Sequence, residues 1–432
     1  LGFEELKNRV REWTPQRAAE LTGIAADDIV QLAREYATTR PAAIRLNYGV
    51  QRSERGGMAI RTVALLPALV GAWRDVGGGL QLSTSAAFQL NRTGLERPDL
   101  QLASALGRET RLVNMAQLGE ALTTLDKPPV KALVVYNSNP AAIAPDQNAV
   151  RRGLRREDLF TVVLEQFRND TADFADILLP ATTFLEHTDL YFAYGHFHLQ
   201  LARPALRAPG EALPNTEVFR RLAARLGFDE PCFRDSDDDM IRTLLDSRHP
   251  FVEGITLEQL DAEHSVRLKV GEPFLPFAEG GFGTPSGKCE FKAETLAFEP
   301  PVESRGGDRE LAARYPLELI SPKNDDSMNS TFGNRADTDA KTGTLTLHPE
   351  DAATRHIETG DAVRVFNDRG ECLLVAKVAP TVAAGVVSAP SVRWPKLAPG
   401  GNSVNMLTSQ RLTDMGAGPT FYSCLVQVAR LD

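Results

Sequence analysis

The stretch VVYNSNP, residues 134–140, decides the fold. Branched and aromatic residues suited to a buried strand stop on Asn137, Ser138 and Asn139, and then on Pro140, which cannot donate to a ladder. The rhythm continues downstream. PDQNAVRRGLRR (145–156) reads as a helix, LFTVVLEQ (159–166) as a strand, NDTADFAD (169–176) as a short capped turn and ILLP (177–180) as a further strand. Near-continuous apolar strands alternating with helices predict an α/β fold, a parallel sheet with helices on both faces. In such sheets ligands bind beyond the carboxyl ends of the strands. Asn137, Ser138 and Asn139 stand there, and an amide that both donates and accepts suits a nucleobase edge, a ribose or a pterin. The next strand ends on Glu165, and Thr171 is expected to cap a short helix whose free N–H groups accept a phosphate. Asn and Thr also cap ordinary turns, and local chemistry leaves both readings open.

The N-terminal side repeats the pattern. WTPQRAAELTGIAADDIVQLAREYATT (13–39) opens with Thr14 as N-cap and Pro15 at the first helical position and predicts a helical pair. PAAIRLNYGV (41–50) reads as a strand, GGMAIRTVALLPALVGAW (56–73) as a helix and DVGGG (75–79) as its stop. From Pro204 to Arg314 the composition turns acidic and rich in Pro and Gly, so loops are expected around one good helix, TEVFRRLAARLG (216–227). From Pro316 short strands take over: LELIS, TLTLHP, AVRVFND, ECLLVAKV and VVSAP, with NDRG (367–370) as a hairpin turn. These predict a β-barrel. The expected division is a Rossmann-like remainder over 1–84, a second α/β domain over 85–230, an irregular connection over 231–314 and the barrel over 315–432.

Composition excludes several classes. The 432 residues are 42% hydrophobic and 24% charged, ordinary globular material. The twelve-residue run TVALLPALVGAW is short of the ~20 apolar residues of a bilayer span, so an integral membrane protein is not expected. A net charge of -9 argues against nucleic acid as a partner. Cys232, Cys289, Cys372 and Cys424 lack the spacing of a disulfide framework or a thiolate metal cluster. The opening on Leu1 without a basic or apolar leader is compatible with a fragment that starts upstream; a cytoplasmic location is expected, with the periplasm left open.

Three motif look-alikes fail. DSDDDMIRTLLD (235–246) has the early acids of a calcium loop, but Met240 takes the glycine position and Asp246 the closing glutamate, so a solvated helix start is expected. GTPSGKC (283–289) has the wrong glycine spacing for a phosphate loop and Cys289 in place of Ser or Thr; it reads as a turn. His196 and His198 could share a strand face but have no further ligands nearby in the sequence, and no metal site is assigned.

YNSNP (136–140) with EQFRNDTADFADILLPATTFLEH (165–187) resembles the cofactor-binding segment of the molybdopterin oxidoreductases of the dimethyl sulfoxide reductase family, in particular the formate dehydrogenase-like branch. The resemblance extends through WTPQRAAELTGI, LNYGVQRSERGG and LVGAWRDVGGG upstream. Downstream it takes in TPSGKCEF, NSTFGN (329–334), LHPEDAATRHIETGDAVRVFNDRG and NMLTSQRLTDMGAGPTFYSCLVQV, and it is weakest over 231–271. It implies bis-molybdopterin guanine dinucleotide with molybdenum as cofactor, a C-terminal double-psi β-barrel closing over the pterins, and two-electron redox of a small-molecule substrate. Asn137, Ser138, Asn139, Glu165, Phe167 and Thr171 would hold one dinucleotide. Lys323, Asn324, Asn329 and Gly333, with Asn402, Phe421 and Tyr422, would contact pterin or phosphates. Such proteins normally begin with a cysteine-rich module for a [4Fe–4S] cluster and a region carrying the molybdenum ligand; neither is in this sequence, which resembles roughly their C-terminal two-thirds. An iron–sulfur electron-transfer subunit is the implied protein partner. The alternative is a non-catalytic guanine-dinucleotide-binding or assembly subunit completed by a partner chain.

Overall fold

The computed structural model describes residues 1–291 and 298–431. Helices α1 (Phe3–Val10), α2 (Pro15–Thr22) and α3 (Ala26–Thr38) open the chain. Thr14 caps α2 as expected, its hydroxyl accepting from Arg17 N at 3.2 Å, and Gly23 closes it in the left-handed region. Strand β1 (Ala43–Arg45), helix α4 (Gly56–Val70) and strand β2 (Gly79–Gln81) make a parallel crossover unit with Ala43 opposite Gly79.

Short helices α5 (Arg92–Glu96) and α6 (Pro98–Ala103) lead to α7 (Leu118–Thr124), and then the quoted stretch begins. Strand β3 (Ala132–Tyr136), helices α8 (Pro140–Ile143) and α9 (Gln147–Leu154), β4 (Phe160–Glu165) and β5 (Ile177–Pro180) follow in the predicted order. The sheet β3-β4-β5 is wholly parallel, with Val134 opposite Val162 and Val162 opposite Ile177. Side chains alternate across a strand, so Leu133 and Val135 share one face and Val134 and Tyr136 the other. Leu122 of α7 and Val150 and Leu154 of α9 pack with Leu133. The expectation of helices on both faces holds only in part: on the second face Tyr136 meets one later helix through Phe219, ring to ring at 5.1 Å, while Val134 and Ile177 remain 43% exposed.

Strands β6 (Asp189–Tyr191) and β7 (His198–Ala202) precede α10 (Asn215–Leu226), the helix that carries Phe219. The loops expected beyond it give way to more structure. Helices α11 (Asp237–Leu245) and α12 (Leu257–Glu263) and strand β8 (Ser265–Arg267) follow, and β8 completes an antiparallel sheet β6-β7-β8. Leu199, Ile241, Leu245, Val252, Leu260 and Val266 form its core. The acidic run at 235–239 is the solvated helix start that the sequence indicated: its last three acids lie in the first turn of α11, where carboxylates oppose the helix dipole, and Ser236 and Asp239 cap each other's backbone. Irregular chain begins near 271, and 292–297 within it lie outside the described residues.

Helix α13 (Arg309–Arg314) leads into β9 (Leu317–Ile320), α14 (Ala336–Thr342), β10 (Thr344–Leu347), α15 (Pro349–Ala353), β11 (Ala362–Asn367), β12 (Gly370–Val378), β13 (Val386–Ser388) and β14 (Leu425–Arg430). The six strands close into a barrel in the order β10-β12-β11-β14-β9-β13. Every second residue points inward: Leu317 and Leu319, Leu345 and Leu347, and Val363 and Val365 are all at most 1% exposed. Each such side chain contributes about 1.5–3 kcal/mol by leaving water. Two long excursions leave the barrel, one between β9 and β10 and one between β13 and β14. No helix among the described residues is long and apolar enough to cross a membrane.

Candidate functional site

The polar residues at the ends of β3 and β4 divide into two groups. Asn139 and Thr171 are at most 1% exposed and bond to one another: Asn139 Oδ1 accepts from Thr171 N at 3.1 Å and from Thr171 Oγ1 at 2.8 Å. Asn139 Nδ2 donates to Asp170 Oδ2 at 3.1 Å, and Thr171 Oγ1 accepts from Ala141 N at 3.0 Å. These side chains therefore tie two strand ends together. Thr171 does not cap the following turn either; Asn169 does, its Oδ1 accepting from Thr171 N and Ala172 N, both at 3.0 Å. The other group stays accessible. Asn137 leaves the strand at φ 53° and accepts from Asn215 Nδ2 at 2.9 Å, Ser138 is half-buried, and the Phe167 ring is 56% exposed. Glu165 is half-buried and receives Asn169 Nδ2 at 2.6 Å; burial pushes its carboxyl pKa up.

On the barrel side several of the expected residues have partners within the protein. Asn324 spans a turn, donating to Ser391 O at 3.1 Å and accepting from Asp326 N at 2.9 Å. Gly333 is a close approach: a Cβ there would lie 2.7 Å from Trp394 Cδ1. Asn402 accepts from Arg151 Nη1 at 2.9 Å and so joins α9 to the barrel. Tyr422 packs on Gly49, and its backbone N–H donates to Arg52 O at 3.0 Å.

Lys323 and Asn329, from the first barrel excursion, and Phe421, from the second, meet in one cleft of about 660 Å³. The opposite wall comes from the segment before α4 and from α4 itself: Tyr48, Arg52, Gly57 and Arg61. Ile143, at the end of α8, reaches it too, so the quoted stretch touches the cleft through an apolar residue and not through its amides. Lys323 Nζ donates to Asn329 Oδ1 at 2.5 Å, and the Arg52 guanidinium lies 5.7 Å from the centre of the Phe421 ring. Burial, and then the neighbouring Arg52, hold the Lys323 ammonium below the ordinary lysine pKa. Arg52, Arg61 and Lys323 line the cleft, and no Asp or Glu is among its described lining residues. In a chain of net charge -9 this is a local reversal of sign. A smaller cavity of about 400 Å³ against α10 also has arginines, but Arg220 and Arg221 there are paired with Asp237 and Glu217.

Sequence reasoning missed Arg52, Arg61 and Tyr48, although LNYGVQRSERGG contains them or adjoins them. Its arginines beside a glycine pair at a helix start were a usable signal.

The family model described as Molybdopterin oxidoreductase matches residues 8–225, and the one described as Molydopterin dinucleotide binding domain matches 317–425. The chain belongs to the molybdopterin oxidoreductase family. Among the curated members, the probable oxidoreductase YoaE of Bacillus subtilis (strain 168) is 39% identical over 100% of this chain and 63% of its own length. The dimethyl sulfoxide reductase DmsA of Escherichia coli (strain K12) is 27% identical over 97% of this chain and 57% of its own. A solved structure, acetylene hydratase from Pelobacter acetylenicus, shares the fold with a TM-score of 0.78 at 24% identity, over 100% of this chain and 66% of that one. The chain spans about three-fifths of the length of the curated relatives it matches.

Proposed function

We propose that this chain is the part of a molybdenum-dependent oxidoreductase that grips a molybdopterin guanine dinucleotide by its phosphates. The observation that carries the reading is the cleft lined by Arg52 and Lys323 with no described carboxylate in its lining. Its volume falls within the range of about 300–1,000 Å³ usual for small-ligand sites. When bound, the cofactor would supply a molybdenum centre able to accept or give two electrons to a small substrate.

The protein's share is binding and orientation. Arg52 and Lys323 would neutralise phosphate oxygens, the fork of the guanidinium and the point charge of the ammonium being complementary donors. Lys323 would exchange Asn329 for the ligand, and Tyr48 and Phe421 offer flat faces to a pterin. Asn137, Ser138 and Phe167 would receive the guanine of a second dinucleotide at the strand ends, with Glu165 beside them. Asn139, Thr171, Asn324, Gly333 and Asn402 serve as scaffold, and Tyr422 fixes the cleft wall. We take the barrel, with its parallel pairs β10–β12 and β9–β13, for a double-psi barrel, and the parallel sheets for Rossmann-like layers.

The cysteines bear on where the redox chemistry would sit. Cys372 and Cys424 are buried in the barrel core with thiol pKa values pushed up to about 12 by burial. Such thiols are poor metal ligands. Cys232 and Cys289 are not among the lining residues of the cleft, so the molybdenum ligand, any [4Fe–4S] cluster and the contact with an electron-transfer subunit would belong to sequence that the relatives have beyond this span.

The test is titration calorimetry of the chain with inorganic pyrophosphate and with guanosine diphosphate. Micromolar binding that weakens with added salt, and falls at least tenfold in both Arg52→Ala and Lys323→Ala, is expected, because a charge-assisted hydrogen bond contributes about 1.5–3 kcal/mol. Absence of binding at millimolar probe, or equal affinity in the variants, would falsify the reading.

A further inference from the structure

The loop 411–421 forms a wall of the cleft through Thr413, Met415, Gly418 and Phe421. It is braced internally, Thr413 N donating to Gly418 O and Gly418 N to Thr413 Oγ1, both at 2.9 Å. Its tip is held by Asn114 Nδ2 on Ala417 O at 2.7 Å. Its attachment to the opposite wall centres on Asp414.

The first backbone N–H groups of a helix have no partner within the helix, and a carboxylate is the group best suited to them. At the start of α4 the N-cap residue, Arg55, gives no side-chain cap. Asp414, 357 positions from Gly57 in sequence, takes that role. Its Oδ1 accepts from Gly57 N at 2.9 Å and its Oδ2 from Met58 N at 3.2 Å, while its own N–H donates to Glu54 O at 3.0 Å. Gly57 lets the two walls approach this closely, since a Cβ there would lie 2.6 Å from Met415 Cβ and 2.7 Å from Asp414 Oδ1. The same turns of α4 place Gly57, Ile60 and Arg61 in the cleft.

We propose that Asp414 is a positioning residue, a latch that caps α4 from the far wall and so sets the width of the cleft without lining it. Its effect on ligand affinity rests on the anion reading of the cleft; its hold on the loop does not. Loss of a cap contact worth about 1 kcal/mol corresponds to roughly a fivefold change in an opening equilibrium.

The experiment is limited trypsin cleavage of the full chain after Arg411, beside pyrophosphate titration, with thermal midpoints measured on every variant. Asp414→Ala is expected to raise cleavage at Arg411 about fivefold and to weaken pyrophosphate binding by a similar factor. Asp414→Asn, which keeps one of the two acceptors and turns a donor toward the other N–H, should fall between wild type and Asp414→Ala in both. Gly57→Ala leaves the carboxylate in place but wedges the walls apart and should reproduce the Asp414→Ala result. Wild-type cleavage rates in both Asp414→Ala and Gly57→Ala would overturn the latch, as would faster cleavage with unchanged pyrophosphate affinity. Failure of the wild-type chain to bind pyrophosphate would count against the anion reading, and the cleavage rates would still decide the latch.

Discussion

The strand-end crevice and the inter-wall cleft are both polar, and they differ in whether their polar atoms are already committed. In the crevice Asn139, Thr171, Asn169 and Asp170 bond to one another and to backbone. In the cleft Arg52 and Lys323 have no carboxylate partner among the described residues, and Lys323 meets only a neutral amide. Buried polar groups must be satisfied, so a polar motif in the interior is usually self-consuming. Binding capacity is what remains after that requirement is met. The committed extreme is Arg369, whose guanidinium forms two parallel bonds to the 5%-exposed Glu303, at 2.8 and 2.6 Å.

Three experiments can break or sharpen this contrast. The largest expected effect is on Glu303→Ala, which strands the Arg369 charge in its half-buried setting and should cost about 3 kcal/mol in urea unfolding, with pyrophosphate affinity unchanged. A loss below about 1 kcal/mol would mean that Arg369 finds water. Next, Asn139→Ala should cost about 2 kcal/mol by leaving Asp170 and Thr171 short of partners, whereas Asn137→Ala at the accessible end should cost about 1 kcal/mol, mostly from placing Ala at a positive φ. If Asn137 proved the costlier of the two, the division of the crevice would be wrong.

The smallest effect concerns pH. A lysine is charged only below its pKa, and burial with Arg52 lowers that of Lys323. Pyrophosphate affinity should therefore fall as pH rises through a value below the ordinary lysine range, by up to about tenfold, or 1.4 kcal/mol. Lys323→Met should flatten this dependence in calorimetric titrations across alkaline pH. An unaltered slope in Lys323→Met would assign the titration to another group.

Much of the fold was legible because local pattern and burial agree. VVYNSNP ended a parallel strand as read, the Thr14–Pro15 start capped α2, and alternating apolar residues at Leu317, Leu345 and Val363 marked barrel strands. The helix start at 235–246 was legible from its acids, whereas α12 and β8 were not legible, because sparse apolar residues such as Leu260 and Val266 form a core only once β6 and β7 lie beside them. The family was legible too, and the family models bear it out over 8–225 and 317–425.

The sequence by itself determined the alternation of strands and helices, the barrel and the family, since periodicity and motif spacing are local properties of the chain. Tertiary structure alone decided which polar residues are spent and which are free. Asn139 and Asn137 stand two positions apart in one motif, yet one faces Asp170 and Thr171 in the interior and the other faces out. Arg52, Lys323 and Phe421 become one cleft, and Asp414 becomes a cap for α4, only when segments hundreds of residues apart are folded together. Hydrogen-bond capacity is finite and consumed at short range, so its remainder depends on neighbours in space and not on neighbours in sequence.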